Sequence, residues 1–175
     1  MTRTFKHWNG STISLHCKGD AVKDLGKTLL QQLERWSEEF PGRAAWVNSD
    51  GAKATENLVT NGHVLFRLDG PRAALAALWV KKCPLGKMQY VTENLMEKTL
   101  EIADREAIAP MASASEAWDV AQDRMRIDPA YVGMLEWLFP AAKWFKGDTM
   151  ARLEVDGRTV AVAMAIPEAG MEGAK

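Results

Sequence analysis

The chain predicts an α+β fold in which a mainly antiparallel sheet, built from three hairpins, packs against about five helices. Three observations carry that expectation. Asn9-Gly10, Asn61-Gly62 and Asp156-Gly157 each supply the pair of residues tolerant of positive φ that a tight hairpin turn demands, and each is flanked by alternating or apolar segments. Apolar residues recur at helical spacing in the stretches between. The resulting order, roughly ββα, β, ββα, β, ααα, ββ, clusters helices and hairpins instead of alternating single strands with helices, as a doubly wound parallel sheet would. At 175 residues the chain fits one domain, residues 1–167, with a frayed tail over 168–175.

The elements follow in order. Around Asn9-Gly10, a two-residue turn pairs Trp8 with Ser11 and puts Ile13, Leu15 and Cys17 on one face, with His7, Thr12, Ser14 and His16 on the other. Val22, Leu25, Leu29, Leu33, Trp36 and Phe40 alternate three and four apart, which predicts a helix over 21–40 with Asp20 as its N-cap and Pro41-Gly42 as its stop. A short strand is expected near 43–48. The Asn61-Gly62 hairpin pairs Val59 with Val64, and Leu58 and Leu65 make its second face apolar as well. Residues 71–83 read as a buried helix opened by Pro71 and closed before Pro84, followed by a short strand over 87–91. Two further helices are predicted, one from Thr92 to about Ala107 and one opened by a Ser113/Glu116 capping box. Asp128-Pro129 starts another helical unit that ends near Phe139-Pro140. In the last hairpin, Ala151, Leu153, Val160 and Val162 are expected on one face and Arg152, Glu154 and Thr159 on the other.

Charge is sorted along the chain. The formal net charge is −1, yet residues 92–128 hold nine acidic against four basic side chains, leaving 18 basic and 14 acidic elsewhere. Glu93, Glu97 and Glu101 stand four apart, Asp104 follows, and Glu116, Asp119 and Asp123 repeat at three and four; on two helices each set shares a face. The near-neutral total argues against broad nucleic-acid binding, although Lys81, Lys82, Lys87, Lys143 and Lys146 could serve it if they shared one surface. The first ten residues show no secretory apolar segment, and the most apolar run, 130–142, falls well short of the ~20 residues needed to span a bilayer. A cytoplasmic, membrane-free protein is expected. Cys17 and Cys83, far apart and without metal spacing, read as buried thiols in a reducing compartment.

No catalytic, cofactor or metal signature emerges. His7, His16 and His63 fit no HExxH or Cys/His pattern, and in the expected register His16 lies opposite Arg3, about 13 Å along the hairpin from His7 at ~3.4 Å per residue. No histidine follows residue 63, so a di-iron Glu-x-x-His set is missing. Asp69-Gly70-Pro71-Arg72 joins strand to helix with too few glycines for a phosphate loop. Among seven tryptophans, Trp118 is expected in the core, whereas Trp144 and Phe145, flanked by Lys143 and Lys146 after Pro140, are expected to emerge as an aromatic anchor.

These readings converge on a non-enzymatic protein-binding module that offers an acidic two-helix face to the basic, nucleic-acid-binding surface of a partner, as an inhibitor of the phage or plasmid type would. Its contact residues are expected to be Glu93, Glu97, Glu101, Asp104, Glu116, Asp119, Asp123, Trp144 and Phe145. The alternative is an enzyme or small-molecule-binding domain with a pocket between sheet and helices, using His7, His16 or Arg72 as polar groups.

Overall fold

Antiparallel pairing organises every sheet of the protein. The computed structural model describes residues 1–16, 22–40, 45–48, 57–67, 93–107, 109–110, 119–121 and 125–167. The strands are β1 (Thr2–Lys6), β2 (Thr12–His16), β3 (Ala45–Asn48), β4 (Asn57–Thr60), β5 (Val64–Arg67), β6 (Ala109–Pro110), β7 (Asp119–Ala121), β8 (Met125–Arg126), β9 (Lys143–Lys146), β10 (Met150–Val155), β11 (Arg158–Met164) and β12 (Ile166–Pro167). The helices are α1 (Val22–Glu39), α2 (Glu93–Glu106) and α3 (Pro129–Leu138). A seven-stranded sheet runs β3-β4-β5-β11-β10-β9-β6, a separate pair is β1-β2, and three short strands form β12-β8-β7.

Alternation along the central strands divides the large sheet into two faces. Val59, Phe66, Ala161, Leu153 and Trp144 stand side by side across β4, β5, β11, β10 and β9. They pack against α1, α3 and the inward residues Ile13 and Leu15 of β2. On the opposite face Leu58, Leu65, Met150 and Val162 close against Leu100, Ala103 and Ala107 of α2 and its C-terminal end. The regular spacing in α1 does what it predicts: Leu25, Leu29, Leu33 and Trp36 are all fully buried, each apolar side chain contributing about 1.5–3 kcal/mol. In α3, Asp128 accepts the Ala130 N–H at 2.8 Å as N-cap and Pro129 occupies the first turn.

The three expected strand pairs form, but they do not build one sheet: β1-β2 stands apart as a two-stranded sheet, the large sheet adds β3, β9 and β6, and only the last pair keeps its expected two-residue turn. Asp156 (φ 51°) and Gly157 (φ 77°) connect Val155 to Arg158. A bulge follows, because Leu153 pairs with Ala161 while Glu154 pairs with Thr159; Val160 is the extra residue, and Val162 therefore faces α2 instead of sharing the Leu153 face as expected. At the first hairpin the loop gains a residue. Gly10 (φ 84°) donates to the His7 carbonyl at 3.0 Å, and His7 N–H donates to the Ser11 carbonyl at 2.9 Å. Thr12 thus pairs with Lys6, and His16 with Thr2, not Arg3. At the middle hairpin Gly62 (φ 86°) and His63 form the turn, so Val59 pairs with Phe66 and Leu58 with Arg67. The buried Asn61 explains the shift, since its side chain is needed inside (below).

The helix count is three among the described residues, not about five. The segment expected as the second acidic helix contains β7 and β8, which pair as a hairpin with Asp119 opposite Arg126; Ser113 and Glu116 lie outside the described residues, as do the expected 71–83 helix, the 87–91 strand and the 168–175 tail. Residues 143–146, expected to emerge after Pro140, form β9 between β10 and β6. Among the described residues no helix is long and apolar enough to cross a membrane.

Candidate functional site

The expected acidic surface is only partly assembled. Glu93, Glu97, Glu101 and Asp104 do lie on one helix, α2, and Glu101 is exposed; the side chains of Glu93 and Glu97 are outside the described set. Asp104 is tied to the sheet. Thr159 donates its hydroxyl to Asp104 Oδ1, and the Arg152 guanidinium lies 3.8 Å from the same oxygen. Arg152 also donates to the Ala107 carbonyl (2.7 Å), Glu154 Oε2 (2.9 Å) and Thr159 Oγ1 (3.3 Å). Asp119 belongs to a strand, so it shares no helical face with Glu116 and Asp123, which lie outside the described residues. Trp144 is 6% exposed and belongs to the core. Phe145, on the other face of β9, sits beneath the Arg152 guanidinium at 4.3 Å from the ring centre. The expected aromatic anchor is therefore turned inward, because β9 is an interior strand whose two faces are both covered.

A different set of polar residues converges where the first two hairpins meet α3. Tyr131, on the first turn of α3, stands at its centre. His7 meets it in a T-shaped contact at 5.1 Å and 77°, Trp36 in another at 6.4 Å and 68°, and His63 stacks at 6.3 Å and 15°. Phe40, at the end of α1, closes edge-on to His63 at 5.0 Å. Tyr131, Trp36 and Asn61 are buried; His7, His63 and Phe40 are half-buried and form the outward side.

Two hydrogen-bonded pairs give this cluster its order. Asn61 is fully buried, and its Oδ1 accepts the backbone N–H groups of His63 and Val64, both at 3.0 Å. Those two donors fix the amide orientation, so Nδ2 faces the Tyr131 hydroxyl and donates to it at 2.9 Å. In the second pair, His7 Nδ1 lies 3.0 Å from Asp128 Oδ2, both side chains being about one-tenth exposed. A carboxylate only accepts, so Nδ1 carries the proton and Nε2 keeps its lone pair in the neutral ring. Asp128 is held in turn by its other oxygen, which caps α3. Burial first, with the charges of Asp128 and Glu39 adding to it, pushes the Tyr131 phenol well above the ordinary tyrosine range despite the opposing Asn61 bond; the phenol stays neutral throughout the physiological range.

His16 is elsewhere. It stands at the far end of β2, with Nδ1 2.6 Å from Thr2 Oγ1, one residue further along the hairpin from His7 than the expected pairing with Arg3 would put it. Arg72 lies outside the described residues, and among those described no group of three His, Cys, Asp or Glu side chains could hold a metal ion.

Positions 7, 61, 63, 128 and 131 come from three separate supersecondary units, and no spacing rule links them. The only local signals were the Asn-Gly-His turn and the Asp-Pro helix start. No protein-family model, no curated protein and no solved structure matches this chain.

Proposed function

We propose that the protein binds a small molecule at the His7–His63–Tyr131 cluster and that His7 acts there as a proton acceptor. The observation that carries this reading is the 3.0 Å contact between His7 Nδ1 and Asp128 Oδ2. A carboxylate that is itself anchored by a helix cap holds the imidazole in one tautomer and stabilises the imidazolium formed when Nε2 takes a proton, which is the arrangement general-base catalysis needs. The aromatic faces of Phe40, His63 and Tyr131 supply apolar surface for the body of a ligand. Two measurements test it. The histidine ¹⁵N spectrum should show His7 as the Nδ1–H tautomer, and a thermal-shift screen of small metabolites should return compounds whose stabilisation disappears in His7→Gln. An Nε2–H tautomer, or shifts indifferent to His7→Gln, would defeat the reading.

A second reading is favoured by the outer side of α2, where Glu101 and the 38% exposed Ile102 stand side by side. There a protein partner with a basic surface could dock through charge around an apolar contact, α2 alone serving in place of a two-helix face. Reversing Glu93, Glu97 and Glu101 together should abolish capture of such a partner while leaving the melting temperature unchanged; unaltered capture removes it.

A further inference from the structure

One edge of β1 carries backbone groups that no strand meets. The His7 N–H donates to the Ser11 carbonyl at 2.9 Å, which makes those two residues a hydrogen-bonded pair. Bonded and non-bonded pairs alternate along an antiparallel ladder, so Phe5 with Ile13 and Arg3 with Leu15 exchange hydrogen bonds, while Lys6 with Thr12, Thr4 with Ser14 and Thr2 with His16 do not. The far end of the hairpin agrees: the His16 N–H turns away from β1 and donates to Thr28 Oγ1 of α1 at 3.1 Å. On β1 the N–H and C=O groups of Thr2, Thr4 and Lys6 therefore point outward. All three residues are exposed, and β1-β2 is a sheet of two among the described residues.

Such an edge is a template for a further strand, and its charge selects which one. Arg3 and Lys6 are exposed, no carboxylate among the described residues pairs with either, and residues 1–16 hold no aspartate or glutamate. A second copy of β1 would set Arg3 and Lys6 of each chain on strands about 4.8 Å apart with no acid between them. An acidic strand meets the same charges with the favourable sign. The edge is also held ready, because Ile13 and Leu15 are buried in the core and Phe5 packs on Trp137 of α3.

We infer that the β1 edge binds an extended acidic segment of a partner protein as an added strand, a role independent of the proposed ligand site. The outward groups of Thr2, Thr4 and Lys6 supply the main-chain bonds. Arg3 and Lys6 are three apart and so lie on opposite faces of the hairpin; the segment that fits carries acidic residues three apart, one for each face. Trp8, 37% exposed at the tip of the hairpin, adjoins the end of this edge and offers an aromatic contact.

The test uses the whole ¹⁵N-labelled chain and an end-blocked peptide of three Glu-Thr-Val repeats. The peptide should shift the Thr2, Thr4 and Lys6 amides saturably and slow their hydrogen exchange, leaving exchange at Arg3 and Phe5, already bonded to β2, unchanged. Replacing each glutamate of the peptide by lysine should weaken binding at least about tenfold, and so should N-methylating two adjacent central residues, which removes a donor from each peptide edge. Reversing both charges, Arg3→Glu with Lys6→Glu, should invert the preference between the two peptides. If that variant does not fold, Thr4→Pro, which deletes the central outward N–H and spares the β1-β2 ladder, should abolish binding. Unprotected Thr2, Thr4 and Lys6 amides overturn the inference. Equal binding of the N-methylated peptide overturns it as plain ion attraction, and equal binding of the lysine peptide overturns the charge selection. Protection of the same amides that grows with protein concentration alone would assign the edge to a second copy and overturn it as well.

Discussion

Removing the Asn61 side chain should loosen the joint between the middle hairpin and α3, and the magnitude can be worked from its three hydrogen bonds. In Asn61→Ala, the N–H groups of His63 and Val64 lose their acceptor. Val64 is buried, so its donor is stranded at about 1–3 kcal/mol, whereas His63 is half-buried and water can recover part of its loss. The Tyr131 hydroxyl loses a neutral partner, about 1 kcal/mol more. The sum is about 2–4 kcal/mol. Tyr131→Phe strands Asn61 Nδ2 instead, in a fully buried setting, at about 1–2 kcal/mol. Because both variants break the same bond, the double variant should be less destabilised than the sum of the singles, with a coupling of about 1 kcal/mol. Urea unfolding of the four proteins measures each free energy at constant m-value. Additivity within about 0.3 kcal/mol would mean that the bond spanning 70 residues contributes nothing, and the polar centre of the site would then be an accident of packing.

Asp128→Ala should be less stable than Asp128→Asn by about 1 kcal/mol in chemical denaturation, because Asn can still cap Ala130 N–H; both variants lose the charged partner of His7, so the single His7 tautomer should disappear from the ¹⁵N spectrum in each. Gly147→Ala should cost about 1–3 kcal/mol, since an added Cβ would stand 2.8 Å from the Glu106 carbonyl oxygen and force the β9–β10 turn away from the end of α2; unchanged unfolding would show that this approach yields freely. Partial burial raises the Glu136 carboxyl above its usual range, so the native state holds more protons than the unfolded chain between the two values, and stability falls as pH rises through that window. Glu136→Gln should accordingly raise the melting temperature slightly above the window and leave it unchanged below. Tyr131 follows the same sign at alkaline pH: its phenol is raised, so stability should fall above about pH 10, where the unfolded chain ionises, and Tyr131→Phe should remove that dependence.

Local patterns were legible wherever a rule of short range decides the structure. Period-3.6 spacing placed α1 within a residue of its ends, Asp128-Pro129 marked the start of α3, and Gly at a positive-φ position marked each hairpin. Where more than one element competes for a residue, the patterns failed. Asp119 lies at helical spacing from Glu116 and Asp123, but pairing with Arg126 of the neighbouring strand prevails over that spacing. Lys143-Trp144-Phe145-Lys146 reads as an exposed aromatic anchor, yet alternation on an interior strand sends Trp144 to one core and Phe145 to the other.

What the chain determined by itself is its class: α+β, antiparallel, with three hairpin turns and amphipathic helices, because turn stereochemistry and helical periodicity act over a few residues. Tertiary structure alone decided the registers and the candidate site. Hairpin register was set by where side chains such as Asn61 find buried partners, and His7, Asn61, His63, Asp128 and Tyr131 became neighbours only when two hairpins and a helix closed on one another. Contacts between residues up to 124 positions apart leave no periodic trace in a sequence, since what unites them is the folded path of the chain and not its spacing.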